Sequence, residues 1–106
     1  MPPRSIIYYV SGHGFGHATR SAEVIAALNR LAPTAPIFVR TAAPAMIFEE
    51  ADCRCTIEPV SLDVGVIQTD SLTMDIPATI DACRELLRKL PDLVQTEIAF
   101  ARTRNA

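Results

Sequence analysis

The chain has 106 residues, a formal net charge of -2 from ten Lys and Arg against twelve Asp and Glu, and a hydrophobic fraction of 49%. That length suits one domain with a thin core, because folding at this size hides only about two-thirds of the unfolded surface. The dispersed, slightly acidic charge lacks the basic footprint of a nucleic-acid binder, and the apolar run in MPPRSIIYYV is too short for a signal-peptide core or a membrane span.

Arg4 to Val10 is β-branched and aromatic with no polar alternation after Ser5, which predicts a first strand covered on both faces of a parallel sheet. Ser11 to Gly16 breaks regular structure. From His17, Ser21, Val24, Ile25, Leu28 and Leu31 recur at helical spacing, with Arg20, Glu23, Ala27 and Arg30 opposite, and Ala32-Pro33 ends the helix. Pro36 to Arg40 reads as a second strand, and Ala45 to Ala51 as a short helix with Glu49 and Glu50 toward water. Cys53 to Pro59 alternates as a third strand near the sheet edge. This β-α-β-α-β order argues for parallel strands joined by right-handed crossovers.

Val60 to Asp75 lacks clean periodicity, contains Gly65, Asp63, Asp70 and Asp75, and is long for a connection, so a functional loop is expected there. From Pro77, the residues Ile80, Cys83, Leu87, Leu90, Val94, Ile98 and Ala101 form a helical stripe. Pro91 within it predicts either a kink near Leu87 to Leu90 or two abutting helices. In a doubly wound domain this last helix feeds a fourth strand, so the chain is expected to be an excerpt of a longer polypeptide. Cys53, Cys55 and Cys83 match neither a zinc knuckle nor a C-x-x-C pair and read as reduced thiols of a cytoplasmic protein.

The chemistry gathers at Ser11 to His17. Gly12, Gly14 and Gly16 lie between a buried strand and an amphipathic helix, where they let the backbone approach a ligand beside the helix N-terminus, a place suited to phosphate, carboxylate or sugar hydroxyls. The spacing is G-x-G-x-G, not the dinucleotide G-x-G-x-x-G, and the second strand ends in Arg40 and Thr41 without an acidic residue. No G-K-[ST] follows the glycines, so neither NAD nor a P-loop fits. His13 and His17, the two histidines of the chain, both fall in or beside this turn. Imidazole titrates near neutrality and can take a proton from a hydroxyl nucleophile; the alternative is that either ring bonds the loop or caps the helix. Their i, i+4 spacing lacks a third ligand, so no metal is expected. Arg20 is placed to reach an anion or to be a solvated charge, and Asp70 to accept sugar hydroxyls or to form a turn.

The run IIYYVSGHGFGHATRSAEVIAAL resembles the opening strand, loop and helix of the two-domain (GT-B) glycosyltransferases. It is most similar to the glycosyltransferase-like module that precedes the sugar-kinase domain in plant arabinokinases, and to bacterial relatives of that module. LDVGVIQTDSLTMD, at Leu62 to Asp75, resembles a loop of the same module. The resemblance implies an N-terminal, acceptor-side domain whose glycine-rich loop faces a cleft, with the sugar-nucleotide donor held mainly by a C-terminal domain that this chain lacks. It also implies that a histidine at the His17 position lies at the active site, in some relatives as the base that deprotonates the acceptor hydroxyl; His13 has no such general assignment.

The expectation is thus one partial α/β domain over residues 1–106, a Rossmann-like parallel sheet of about three strands with three or four helices. Its role would be transfer of a sugar from a nucleotide-sugar donor to a hydroxyl acceptor as part of a complete two-domain protein, without a cofactor, a nucleic-acid partner or a membrane span. His17 is the candidate base, and Gly12, His13, Gly14, Phe15, Gly16, Arg20 and Asp70 are candidate ligand contacts. The alternative is a non-catalytic module that binds a nucleotide-sugar or sugar phosphate and regulates another domain. An exposed strand edge would also allow a homodimer.

Overall fold

The computed structural model describes residues 4–65, 67–70 and 72–106; Met1 to Pro3 lie outside it, as do Val66 and Ser71 of the expected functional loop. The elements in chain order are β1 (Ile6–Tyr9), α1 (Gly16–Leu31), β2 (Ile37–Thr41), α2 (Met46–Glu50), β3 (Thr56–Pro59), β4 (Gln68–Asp70), β5 (Thr73–Met74) and α3 (Ile76–Thr103). β1, β2 and β3 form a parallel sheet in that order, with Ile6 opposite Ile37 and Val39 opposite Ile57. The architecture is therefore α/β, a partial Rossmann-like fold with three parallel strands and three helices.

Alternation along β2 gives the sheet two faces. Ile37, Val39 and Thr41 point to one side and are buried together with Val10, with Ala18, Ala22 and Ile25 of α1, and with Phe48 of α2. Thr41 is the polar member of this core, and its hydroxyl is satisfied by accepting from the Ala43 amide at 3.0 Å. Phe38 and Arg40 point to the other side, toward α3.

α1 buries Ile25 and packs Leu28 on the core as expected, but the rest of its buried stripe is alanine and not the other large residues. Ala18, Ala22 and Ile25 are fully buried, whereas Val24 is 47% and Leu31 83% exposed. Two alanines one turn apart let the helix backbone settle close to the sheet, and that close approach decides the rotation of the helix over the larger but peripheral Val24 and Leu31. β1 is likewise not covered throughout: it forms a sheet edge, and Tyr9 is exposed.

The segment read as a loop contains a short antiparallel hairpin, β4 with β5. α3 is one continuous helix with Pro91 inside it, not two abutting ones. Proline removes the donor that would have served the Leu87 carbonyl, and because Leu87 is largely exposed, water can take its place. The helix opens on an Asp75 N-cap, whose carboxylate accepts from the Ala78 amide at 2.9 Å, with Pro77 in the first turn.

α3 crosses the sheet antiparallel to the strands: its end at Asn105 accepts from the Ser5 amide (3.1 Å), while Glu97, two turns earlier, meets Tyr9 at the far end of β1. A helix of 28 residues is about 42 Å long and a five-residue strand about 17 Å. The first half of α3 therefore runs past the carboxyl ends of the strands, and its apolar positions Ile76, Ile80 and Leu87 stay exposed.

The contact of α3 with the sheet is polar and aromatic. Glu97 receives Arg40 Nε at 2.7 Å and a second Arg40 nitrogen at 2.5 Å, and it also accepts from the Tyr9 hydroxyl at 3.0 Å. The Arg40 guanidinium lies 4.3 Å from the Phe100 ring centre, and Phe100 meets Phe38 edge to face at 6.3 Å. Arg104 covers Phe100 from 3.8 Å and reaches Glu58 at 3.3 Å. The bond from Arg40 holds the Glu97 carboxyl below its ordinary range, while burial, then the bond to Glu97, raises the Tyr9 hydroxyl.

Cys53 and Cys55 are free thiols on one side of the strand approach. Burial, reinforced by Cys53, pushes the Cys55 thiol up to about 11, which disfavours its thiolate, and Cys53 Sγ donates to the Phe48 carbonyl at 3.2 Å. Among the described residues no helix is long and apolar enough to cross a membrane.

Candidate functional site

In a parallel α/β sheet, ligands meet the protein in the crevice outside the carboxyl ends of the strands, where the turns into the following helices open. Here that end carries the Ser11 to Gly16 turn after β1, the Ala42 to Pro44 turn after β2, and the segment from Val60 after β3. Two hollows open there and share Tyr9, Val10 and Ser11. One, of about 310 Å³, is completed by His17 and Ser21; the other, of about 150 Å³, by Arg40, Leu62 and Asp63.

Each glycine of the turn has its own reason to be there. A Cβ on Gly12 would lie 2.7 Å from Ala42 Cβ and 3.1 Å from Ala42 backbone atoms, so Gly12 is where the first two turns touch. Gly14 has φ +75°, a conformation that disfavours side chains. Around Gly16 nothing lies within 4 Å of the place a Cβ would occupy, and the same holds for Gly14, so both face open space.

α1 begins at Gly16 behind Phe15, and among the described residues no side chain caps it. Its first amides are therefore unpaired donors beside the positive end of the helix dipole. Thr19 instead returns its hydroxyl to the Phe15 carbonyl at 2.8 Å. His17 lies in this first turn with its ring exposed, in the same hollow as Ser11. Phe15, at 67% exposure, projects from the turn, and Arg20 is exposed one turn further on without an ion-pair partner among the described residues.

His13 has a partner. Its Nε2 lies 3.3 Å from both the backbone oxygen and Oδ1 of Asp63, and it donates to them in the tautomer that carries the proton there. Gly65 packs beneath the ring: a Cβ on it would come within 2.6 Å of His13 Nδ1. His13 thus ties the segment after β3 to the turn after β1. Asp63 and Gly65 were legible only as members of a loop; the signal available was their position just beyond β3, on the same end of the sheet as the glycine turn.

Asp70 is elsewhere. Its carboxylate accepts from the Leu72 amide at 2.8 Å and turns the β4–β5 hairpin, and this bond, then one from Thr73, lowers its pKa. It makes no hydrogen bond to the glycine turn among the described residues. The site residues brought together are Gly12, His13, Gly14, Phe15, Gly16 and His17, with Ser11, Tyr9 and Asp63 added and Asp70 apart. Chemically, the cluster offers unpaired amides, an accessible imidazole and hydroxyls around a polar hollow.

Over 96 residues the chain is 38% identical to an L-arabinokinase of Arabidopsis thaliana; the match covers 88% of this chain and 9% of that protein. The chain is thus similar to a short part of that much longer polypeptide. No family model and no solved structure matches it.

Proposed function

We propose that the chain is the acceptor-side, N-terminal part of a GT-B-type glycosyltransferase-like protein, a partial α/β domain whose ligand site is the glycine turn and the start of α1. The observation that carries this reading is His17: an exposed imidazole in the first turn of α1, sharing a polar hollow with Ser11, next to helix amides that nothing caps. In this reading His17 takes the proton of an acceptor hydroxyl as that oxygen bonds to the anomeric carbon of the donor sugar. The bond from that carbon to the donor phosphate breaks, and its electron pair leaves with the nucleoside diphosphate. The amides at Gly14 to His17 and the Arg20 guanidinium favour the negative charge that develops on the phosphate, and the open surroundings of Gly14 and Gly16 admit it. A second domain holds the nucleotide.

A second reading is favoured by the similarity to an L-arabinokinase, a protein named for phosphorylating a sugar. In it the same turn binds a sugar, sugar phosphate or nucleotide-sugar without transfer, and serves a kinase domain. Both readings are tested by titrating the chain with L-arabinose and with UDP- and GDP-sugars while following the Gly14, Gly16 and His17 amides by NMR, alongside an assay for nucleoside diphosphate release by the complete two-domain protein. Binding at those amides with release that His17→Ala abolishes supports transfer. Binding without release supports the module, and unmoved amides with every ligand sink both.

A further inference from the structure

Cys53 and Cys55 take no part in the chemistry at the glycine turn, yet the fold sets them as a pair. Burial alternates backward from β3: Ile57, Cys55 and Cys53 are partly buried while Thr56 and Arg54 are exposed, so both thiols leave the backbone on one side. Asn29 of α1 fixes the residue between them. Its side-chain amide donates to the Arg54 carbonyl at 3.0 Å and accepts from the Arg54 amide at 2.7 Å, as a neighbouring strand would. Cys53 Sγ is held in turn by the Phe48 carbonyl of α2 at 3.2 Å.

Both thiols line one hollow of about 230 Å³ between α2 and the approach to β3, with Phe48 and Ile57 as apolar walls. They are close enough there for Cys53 to help raise the Cys55 thiol. Such a pair can close an S–S bond or share a bridging ion. Residues two apart in an extended chain have Cα atoms about 6.6 Å apart, near the upper limit of about 6.8 Å for a disulfide. Closing that bond asks the Arg54 backbone to move, and the Asn29 clamp opposes it. An ion about 2.3 Å from each sulfur spans up to about 4.6 Å between them, against about 2 Å for the S–S bond, so it needs no such movement. The ligand count chooses the ion. Among the described residues no three His, Cys, Asp or Glu converge, which leaves out the tetrahedral site of zinc and the oxygen cage of calcium. A soft monovalent d10 ion is satisfied by two thiolates.

We propose that Cys53 and Cys55 form a two-coordinate site for a soft monovalent d10 cation, with Cu(I) as its representative. On binding, both S–H bonds break, the two protons leave to water, and each sulfur gives an electron pair to the metal; no oxidation state changes. The bond from Cys53 to the Phe48 carbonyl is given up in the process. β3 is the opposite edge of the three-stranded sheet from β1, so the site stands apart from the glycine turn and does not depend on the glycosyl-transfer reading.

Anaerobic titration of Cu(I)-bicinchoninate with the reduced chain reads the site, because the chelate loses its colour as copper is withdrawn. The natural chain and Cys83→Ser are each expected to withdraw one copper. Cys53→Ser and Cys55→Ser should each lose at least about 100-fold in affinity, the upper end of what even an outer-shell change costs a metal site. The amides of the buried Ile37 and Val39 report that the sheet is folded in every variant. A second measurement needs no substitution: Cu(I) should shield Cys53 and Cys55 of the natural chain from N-ethylmaleimide and leave the exposed Cys83 to react, as read by mass spectrometry. X-ray absorption should find two sulfur neighbours per copper. Uptake unchanged in Cys53→Ser or Cys55→Ser, equal labelling of all three thiols with and without copper, or a third copper ligand overturns the proposal. So does uptake that needs Cys83, which gives the metal to a bridge between two chains.

Discussion

Replacing Glu97 by Ala is the most informative perturbation of the fold, because one carboxylate joins α3 to both β1 and β2. The side chains of Arg40 and Glu97 are 10% and 13% exposed, and the pair is bidentate, with the Tyr9 hydroxyl as a third bond. Removing Glu97 leaves the Arg40 charge between the sheet and Phe100 without its counter-ion, a loss of about 3 kcal/mol at the lower end for buried pairs broken on one side. Against a total stability of roughly 5–10 kcal/mol this is a large share, equivalent to a fall in melting temperature of about 12–24 °C. Far-UV circular dichroism during urea and thermal unfolding measures it. Replacing both partners, as Arg40→Met with Glu97→Leu, should recover most of the loss, because no charge is then stranded. The sign with pH follows from the lowered carboxyl of Glu97: its stabilisation is fully present above the ordinary glutamate value of 4.5 and is lost as pH falls through the lower folded value. A loss below about 1 kcal/mol in Glu97→Ala, or a double variant no more stable than the single, would show that the pair is screened by water and that α3 is held by other means.

The glycines of the turn should separate by role. Gly12→Ala should cost about 1–3 kcal/mol because Ala42 backbone cannot yield, whereas Gly16→Ala should leave stability unchanged or raise it by up to about 1 kcal/mol while weakening any ligand that approaches the helix start; denaturant midpoints and the NMR titration check both. Asp75→Ala should cost about 1 kcal/mol, the usual loss of an N-cap, and should speed exchange in the first turn of α3 selectively.

How much of this was legible in the sequence depended on whether a signal was local. The three strands of the sheet stood out because IIYY, IFVRT and the alternation through Cys53 to Pro59 need no partner to be recognised, and proline and glycine marked the boundaries. The buried face of α1 was read only in part, through Ile25 and Leu28, because alanine carries little hydrophobic weight. Ala18 and Ala22 are as fully buried as Ile25, yet a pattern scored on large residues passes over them and counts the exposed Val24 and Leu31 instead. The continuity of α3 through Pro91 was also open, since a proline that costs a helix bond is tolerated where the freed carbonyl reaches water, and exposure is a tertiary property. The β4–β5 hairpin is held by short, exposed strands and by the Asp70 turn, a combination that leaves no periodic trace.

The candidate site shows the same division, and there it bears on mechanism. The glycine run announced a turn that approaches something closely, but spacing alone could not say that Gly12 approaches Ala42 while Gly14 and Gly16 face open space among the described residues. That distinction separates a glycine kept for packing from Gly14, kept for its φ of +75°, and from Gly16, which neither packing nor a positive φ requires. The two histidines divide in the same manner: His13 is engaged by Asp63 across a gap of fifty residues in sequence, and His17 is left exposed beside unpaired helix amides. Groups spent on internal contacts fix the shape of the crevice, and groups left over are those that can act on a ligand. By that argument the proposed chemistry falls to His17, while His13 ties the Asp63 segment to the glycine turn.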